Sequence, residues 1–373
     1  MKGRKRMKFQ CNRNKLTEAV TNVQRAVSVK TTMPALEGIL IKCENNKIEL
    51  FGYDLEICIT TSIDAVVMEE GSSVVKAKLF SDIIRRMPED SITIEVDSKN
   101  IVYINSGRVD YKIVGLPAED YPEIPVINSE DKISIEEEIL GSMIRQTIYA
   151  VAENDVKPTN KGTLFEIENK TVRMVSLDGY RLAMRTEKID CDTEKSFIVP
   201  GKSLNEINRL ISDSNDEMTD IIPGTRHIMF RIGNYRVISR LIEGEFINYR
   251  GSIPKSHVTE LKINTRIFTE TIERMSLMLT DKMKSPIRCV IEDNEIKTTC
   301  NTPLGQANDS LNVSMSGESI EIGFNNKFLL DALRYCETDE IIMELTGATK
   351  AVVIKPTEGE SFLFMLMPMR LSK

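Results

Sequence analysis

The sequence predicts an α+β fold built from three similar domains, each with two helices on antiparallel sheets. Three observations carry that prediction. First, Leu116, Leu241 and Leu366 are spaced by 125 residues each time, and an apolar or aromatic partner follows five residues on at Tyr121, Phe246 and Leu371. Second, each third opens with one buried helical stripe at i, i+4, i+7, i+11: Leu16-Val20-Val23-Val27, Leu140-Ile144-Thr147-Val151 and Phe268-Ile272-Met275-Leu279. Third, the segments between helices alternate polar and apolar residues and are broken by tight turns. That is the pattern of antiparallel sheet with one face covered by helices.

Each third reads in the same order. In the first, a helix at 15–27 leads to strands Gly38–Glu44 and Lys47–Phe51, with Asn45-Asn46 turning the chain. Strands Ile57–Ala65 and Ser73–Ala77 follow, then a short helix over Leu79–Met87 closed by Pro88. Ile92–Val96, Ile101–Asn105 and Val109–Val114 complete the unit, with Ser106-Gly107 in a hairpin turn. The second third places a helix at 137–152, strands at Leu164–Glu168 and Thr171–Ser176, and a short helix at Ser203–Ile211. The last has a helix at 266–279, strands at Ile287–Glu292 and Ile296–Cys300, and a short helix at Asn326–Tyr335.

At 373 residues the chain exceeds one ordinary core, and three copies of about 125 residues sit at a common domain size. The boundaries read as a basic extension at residues 1–6, then domains at 7–127, 128–253 and 254–373. The proline-rich segment Gly115–Pro125 joins the first two domains, and Arg240–Pro254 joins the second and third. The third equivalent, Leu366–Leu371, has no further domain to enter. It carries two methionines and two leucines, which suits packing in or beside an apolar groove.

Composition narrows the function. No apolar run approaches the roughly 18 residues of a membrane span, and no apolar stretch follows the basic Met1–Arg6 as it would in a secretory signal. Seven scattered cysteines (Cys11, Cys43, Cys58, Cys191, Cys289, Cys300, Cys336) form no Cys-x-x-Cys pair, which fits reduced thiols in the cytoplasm and no structural zinc. No catalytic, metal or cofactor site emerges. The two histidines, His227 and His257, have no nucleophile motif near them, and Gly201-Lys202-Ser203 lacks the first glycine of a phosphate-binding loop, which would fall at Ser196. The net charge of −7 disfavours a tight nucleic-acid grip without describing the field in any one groove. Asp178-Gly179 predicts a hairpin-type turn that presents Tyr180 and Leu182.

Met367-Pro368-Met369-Arg370-Leu371, Asp178-Gly179-Tyr180-Arg181-Leu182-Ala183 and Met33-Pro34-Ala35-Leu36, in that arrangement over three repeats, resemble the bacterial DNA sliding clamp family, the β subunits of DNA polymerase III. The resemblance spans Met7 to Lys373. It implies a non-catalytic processivity factor: a head-to-tail homodimer closing into a ring around double-stranded DNA, each chain forming half. Tyr111 and Ile113 on a first-domain strand would meet Met278 and Leu279 at the end of the third-domain helix of another copy. Arg25 on the first helix, Lys30, and Lys202 and Arg209 on the short second-domain helix would face DNA. A peptide groove would use Gly179, Tyr180, Arg181, Leu182, Ile247, the late-strand residues Thr349 and Ala351, and Met365, Met367, Pro368, Met369, Arg370 and Leu371. Its implied partners are the replicative polymerase alpha subunit, the clamp loader, and repair and replication-control proteins, each through a short hydrophobic peptide. Tyr180, Ile247 and Asn160 depart from the commoner family residues. A non-ring peptide-binding adaptor of the same fold is the alternative.

Overall fold

A computed structural model describes residues 7–129, 131–154, 156–211, 218–280 and 285–371. The basic run at residues 1–6 lies outside the described residues. In the first third, β1 (Met7–Asn12) runs into α1 (Arg13–Val23); β2 (Gly38–Glu44), β3 (Lys47–Tyr53), β4 (Ile57–Asp64), β5 (Val66–Glu69) and β6 (Gly71–Lys76) precede α2 (Ala77–Arg85); β7 (Ser91–Val96), β8 (Ile101–Ser106) and β9 (Val109–Val114) follow. The second third contains β10 (Ile133–Glu136), α3 (Glu137–Ile148), β11 (Gly162–Glu168), β12 (Thr171–Leu177), β13 (Arg181–Lys188), β14 (Lys195–Pro200), α4 (Gly201–Leu210), β15 (Met218–Pro223), β16 (His227–Ile232) and β17 (Tyr235–Arg240). The last contains β18 (Thr259–Asn264), α5 (Thr265–Ser276), β19 (Ile287–Glu292), β20 (Glu295–Thr302), β21 (Gly305–Asn312), β22 (Ser314–Gly317), β23 (Ile320–Phe324), α6 (Asn326–Arg334), β24 (Glu340–Leu345), β25 (Val352–Pro356) and β26 (Phe362–Leu366).

The predicted helical stripes are the buried faces of α1, α3 and α5, with one correction. Leu16, Val20 and Val23 are fully buried, as are Leu140, Ile144 and Thr147, and Phe268, Ile272 and Met275 are nearly so. Val27, Val151 and Leu279, the fourth members, fall beyond the helix ends and are only half-buried. Each buried aliphatic chain contributes at most about 1.5–3 kcal/mol. Asparagine caps set where α1, α5 and α6 begin. Asn12 Oδ1 accepts from the backbone N–H of Asn14 (2.9 Å) and Lys15 (3.1 Å), Asn264 Oδ1 from that of Ile267 (3.0 Å), and Asn325 Oδ1 from that of Phe328 (3.1 Å). Asn45 and Asn46 both hold positive φ, 50° and 57°, as a two-residue hairpin turn requires.

Two compact units emerge. One contains residues up to Glu138 together with Glu206–Leu241; the other contains Ile139–Asn205 and Ile242 onward. The first unit has a five-stranded sheet, β5-β1-β7-β8-β9, and an eight-stranded sheet, β10-β15-β16-β17-β4-β3-β2-β6. The second has a nine-stranded sheet, β14-β11-β12-β13-β26-β25-β24-β18-β22, and a four-stranded sheet, β21-β20-β19-β23. All the paired strands are antiparallel, as predicted.

Each large sheet is made from two thirds of the chain. In the first unit β4 pairs with β17, Ile57 opposite Ser239 and Thr61 opposite Tyr235. In the second unit β13 pairs with β26, Arg181 opposite Leu366 and Arg185 opposite Phe362. The strands β4, β13 and β21 hold the same place in their repeats. Each follows a turn whose first side chain accepts from the backbone: Asp54 from Glu56 and Ile57, Asp178 from Tyr180 and Arg181, Thr302 from Leu304. By the same repeat, β9, β17 and β26 are each the last strand. Two of the three joints are therefore made within the chain, leaving β9 and β21 as open edges of their sheets.

Candidate peptide groove and nucleic-acid interface

Arg181 organises the candidate groove. The turn before β13 is held by Asp178 Oδ1, which accepts from the N–H of Tyr180 (3.0 Å) and Arg181 (3.1 Å). Gly179 has φ of 87°, and nothing lies within 4 Å of where its Cβ would be, so backbone conformation and not space selects glycine. Arg181 is 8 % exposed. Its Nε lies 3.0 Å from Asp178 Oδ2 and its Nη1 2.5 Å from Asp331 Oδ2 on α6. The guanidinium sits over the rings of Phe328 (4.5 Å) and Tyr149 (5.4 Å). Two carboxylates and two aromatic faces hold it, so it acts as a pillar between the turn and α6. Tyr149 stacks on Tyr335 at 5.3 Å, and burial pushes its phenol well up, so it stays protonated.

The C-terminal tail is laid along this pillar. The Met367 N–H donates to Tyr180 O (2.8 Å) and the Met369 N–H to Gly323 O (2.8 Å). A Cβ on Gly323 would stand 2.8 Å from both Leu371 Cδ2 and Met369 O, so only glycine lets the tail approach β23. Tyr180 is 64 % exposed, its ring 6.2 Å from that of Phe328. Tyr180, Phe328, Leu279, Asn325 and Met367–Arg370 line a cavity of about 1090 Å³. Beside it in the same unit, Leu164, Val175, Leu177, Leu182, Tyr249, Ala351, Val353 and Met365 form an apolar cluster, with Phe246, Ile247 and Leu363 packed against it.

Most of the expected groove residues thus lie in the cavity or the cluster, and two placements need correction. Thr349 and Ala351 are not on a strand. Gly347, at φ 149°, opens a turn after β24; Thr349 is exposed in it, and Ala351 is the buried residue just before β25. Asp331, Phe328, Asn325 and Gly323 were missed. The asparagine cap signal before α6 marks Asn325, but no sequence pattern ties α6 to a turn some 150 residues earlier.

The candidate DNA-facing cations differ among themselves. Lys30 and Lys202 are exposed. Arg209 is exposed but lies 2.8 Å from Glu206 Oε1, which offsets its charge locally. Arg25 is not on α1: the helix ends at Val23, and Arg25 falls in the 3-10 turn Gln24–Ala26, half-buried. At the candidate dimer positions, Tyr111 is exposed and Ile113 half-buried on the open edge β9. Met278 and Leu279 lie past the end of α5 at Ser276, half-buried against the core of their unit.

The thiols offer little nucleophilic chemistry. Burial pushes Cys11, Cys58, Cys289 and Cys336 up to about 12 and Cys43 up to about 11, so these thiolates are scarce at neutral pH. His257 lies between Glu344 (Nδ1, 3.4 Å) and Glu260 (Nε2, 3.7 Å), and Lys355 also pairs with Glu344. No helix is long and apolar enough to cross a membrane among the described residues.

Comparison with known proteins decides the family. The N-terminal, central and C-terminal domain families of the DNA polymerase III beta subunit match residues 7–125, 134–248 and 250–370. The chain belongs to the DNA polymerase III beta subunit family. It is 31% identical to the beta sliding clamp of Bacillus subtilis, over 98% of this chain and 100% of that protein. A crystal structure of the DNA polymerase sliding clamp from Bacillus subtilis superposes with a TM-score of 0.95 at 30% identity, covering 98% of this chain and 100% of that one. A sliding clamp from Pseudomonas aeruginosa, crystallised bound to griselimycin, gives 0.91 at 27% identity, with 98% and 100% covered. The function is that of the family, a sliding clamp in DNA replication.

Proposed function

We propose that this chain is a processivity factor without catalytic activity of its own, and that two copies close head to tail into a ring around double-stranded DNA. The unmatched pair of sheet edges is the observation that carries this reading. β4 joins β17 and β13 joins β26 inside the chain, and the repeat calls for β21 to join β9. One copy cannot use a heterologous joint twice, but two copies close by making it twice. Carrying over the β4–β17 register sets Val114 opposite Gly305, and the β13–β26 register sets Leu116 there. Tyr111 and Ile113 then meet β21 of the other copy, with Met278 and Leu279 beside it. The clamp domains are 7–127, 128–253 and 254–373.

The acidic total fits sliding. Each neutralised phosphate adds salt-dependent affinity, so a ring that moves freely needs few cations on its DNA side. Lys30 and Lys202 are the principal contacts, with Arg25 and Arg209 contributing less. The groove around Tyr180, Leu182 and Met367–Leu371 takes short hydrophobic peptides of the polymerase alpha subunit, the clamp loader, and repair and replication-control proteins. The ring works in the cytoplasm. Light scattering tests the assembly: a particle of twice the 42.2 kDa chain is expected. A mass that stays at one chain at micromolar concentration leaves the non-ring adaptor instead.

A further inference from the structure

We propose that the first unit carries a second peptide-docking site, on the face of the eight-stranded sheet that presents Leu40 and Phe51, for an extended segment with apolar anchors flanked by carboxylates. The site is a cavity of about 730 Å³, a size common for ligand sites. Leu40, Phe51, Met229 and Ile238 form its floor, and the connecting segment Tyr121–Ile127 forms one wall. Tyr121 fixes that wall, being buried and donating its hydroxyl proton to Phe51 O at 3.2 Å. Val126 stays 81 % exposed above it.

Two independent observations point to an occupant. Thr60 lines the cavity, is 2 % exposed, and its Oγ1 is buried with no hydrogen-bond partner among the described residues. A buried hydroxyl left unpaired costs about 1–3 kcal/mol, which a backbone group of a docked strand would recover. The second observation is charge. Leu40 opposite Phe51 and Lys42 opposite Glu49 occupy the places that Leu164 opposite Val175 and Glu166 opposite Arg173 hold in the nine-stranded sheet. The apolar floor repeats while the cross-strand pair is reversed. In the second unit the carboxylate is already consumed, because Glu166 bonds Tyr249, Arg173 and Arg250. In the first, Lys42 lies over Phe51 at 5.0 Å, and Arg231 stands opposite Asp220 on the neighbouring strand and interacts with its carboxylate. Arg236 pairs with Glu49 at 3.2 Å. The lining sets three cations, Lys42, Arg231 and Arg236, against the carboxylates of Glu49 and Glu123, and this positive excess beside an apolar floor selects a segment bearing Asp or Glu. The occupant is therefore a different class of peptide from one chosen by apolar contacts alone.

This inference rests on the first unit's sheet and not on ring closure or on the groove at the tail. The test titrates a fluorescein-labelled peptide, Asp-Leu-Phe-Asp-Leu-Glu, against the full chain, with its Asn/Gln counterpart as control. Saturable one-to-one binding is expected, and the Asn/Gln peptide should bind about tenfold more weakly. Deleting Met367–Lys373 should leave the affinity unchanged. Lys42→Glu with Arg231→Glu, both on exposed side chains, should weaken binding by about tenfold or more at unchanged melting temperature. Thr60→Val should weaken it by a few fold while holding or raising the melting temperature. Absence of saturable binding, indifference to the two charge reversals, or loss on tail deletion would each overturn the proposal. Concentration-dependent self-association abolished by the charge reversals would also overturn it, assigning the face to a second copy.

Discussion

Gly323→Ala tests whether the docked tail builds the proposed peptide groove. The new methyl would meet Leu371 Cδ2 and Met369 O at 2.8 Å and Pro286 Cβ at 3.2 Å. Met369 O is backbone and cannot swing aside, so the strain is relieved when the tail leaves β23. Forced overpacking costs about 1–3 kcal/mol. The tail is held there by the Met369–Gly323 hydrogen bond and the Leu371 contact, together worth about 1–1.5 kcal/mol net. The docked fraction should fall from near nine-tenths to between about one-half and a few hundredths, and apparent peptide affinity falls in proportion. A groove peptide followed by fluorescence anisotropy should bind about two- to thirtyfold more weakly. The melting temperature should hardly move, because Gly323 has no positive φ and β23 tolerates alanine. Amide exchange at Met369 should accelerate, while Met367, pinned separately to Tyr180, should change less. Unchanged peptide affinity together with accelerated exchange would refute the reasoning, since the tail would be loose and the groove indifferent to it.

Asp331→Ala removes one of the two carboxylates on nearly buried Arg181 and should cost about 1–3 kcal/mol, read as a melting shift of about 2–4 °C per kcal/mol. It should weaken the groove peptide as well, because Tyr180 and Phe328 lose their common anchor; a change in neither would show that Arg181 is no pillar. Lys30→Ala combined with Lys202→Ala should lower the yield of loading onto nicked circular DNA and flatten its salt dependence while the dimer mass stays unchanged. Equal loading at several salt concentrations would remove both residues from the DNA side.

What the sequence revealed follows the range of the interactions. The stripe Leu16-Val20-Val23 is legible because helical burial repeats over a few residues, and its overrun to Val27 shows that periodicity does not mark where hydrogen bonding stops. Asn45-Asn46 and Asp178-Gly179 are legible because the turn conformations favour those residues locally. The short strands β1, β5, β10, β18 and β22 were not foreseen. β1 exists because Met7–Asn12 pairs with Ser91–Val96, a partner some 80 residues away. The joints β4–β17 and β13–β26 are equally non-local, although they determine which edges stay open. Arg181 shows the same limit: its place in a motif marks the groove, but only Asp331, Phe328 and Tyr149 around it reveal a pillar. Gly323 carries no turn signal, and its role lies wholly in the approach of a segment more than 40 residues downstream.

The most direct test of the central claim is release from DNA by topology. The chain is loaded onto a nicked circle, the circle is washed at high salt and then cut once. A closed ring predicts retention on the circle with little dependence on salt and prompt loss on linearisation. Retention that survives linearisation, or loss from the intact circle in proportion to salt, would mean binding by affinity and contradict the ring.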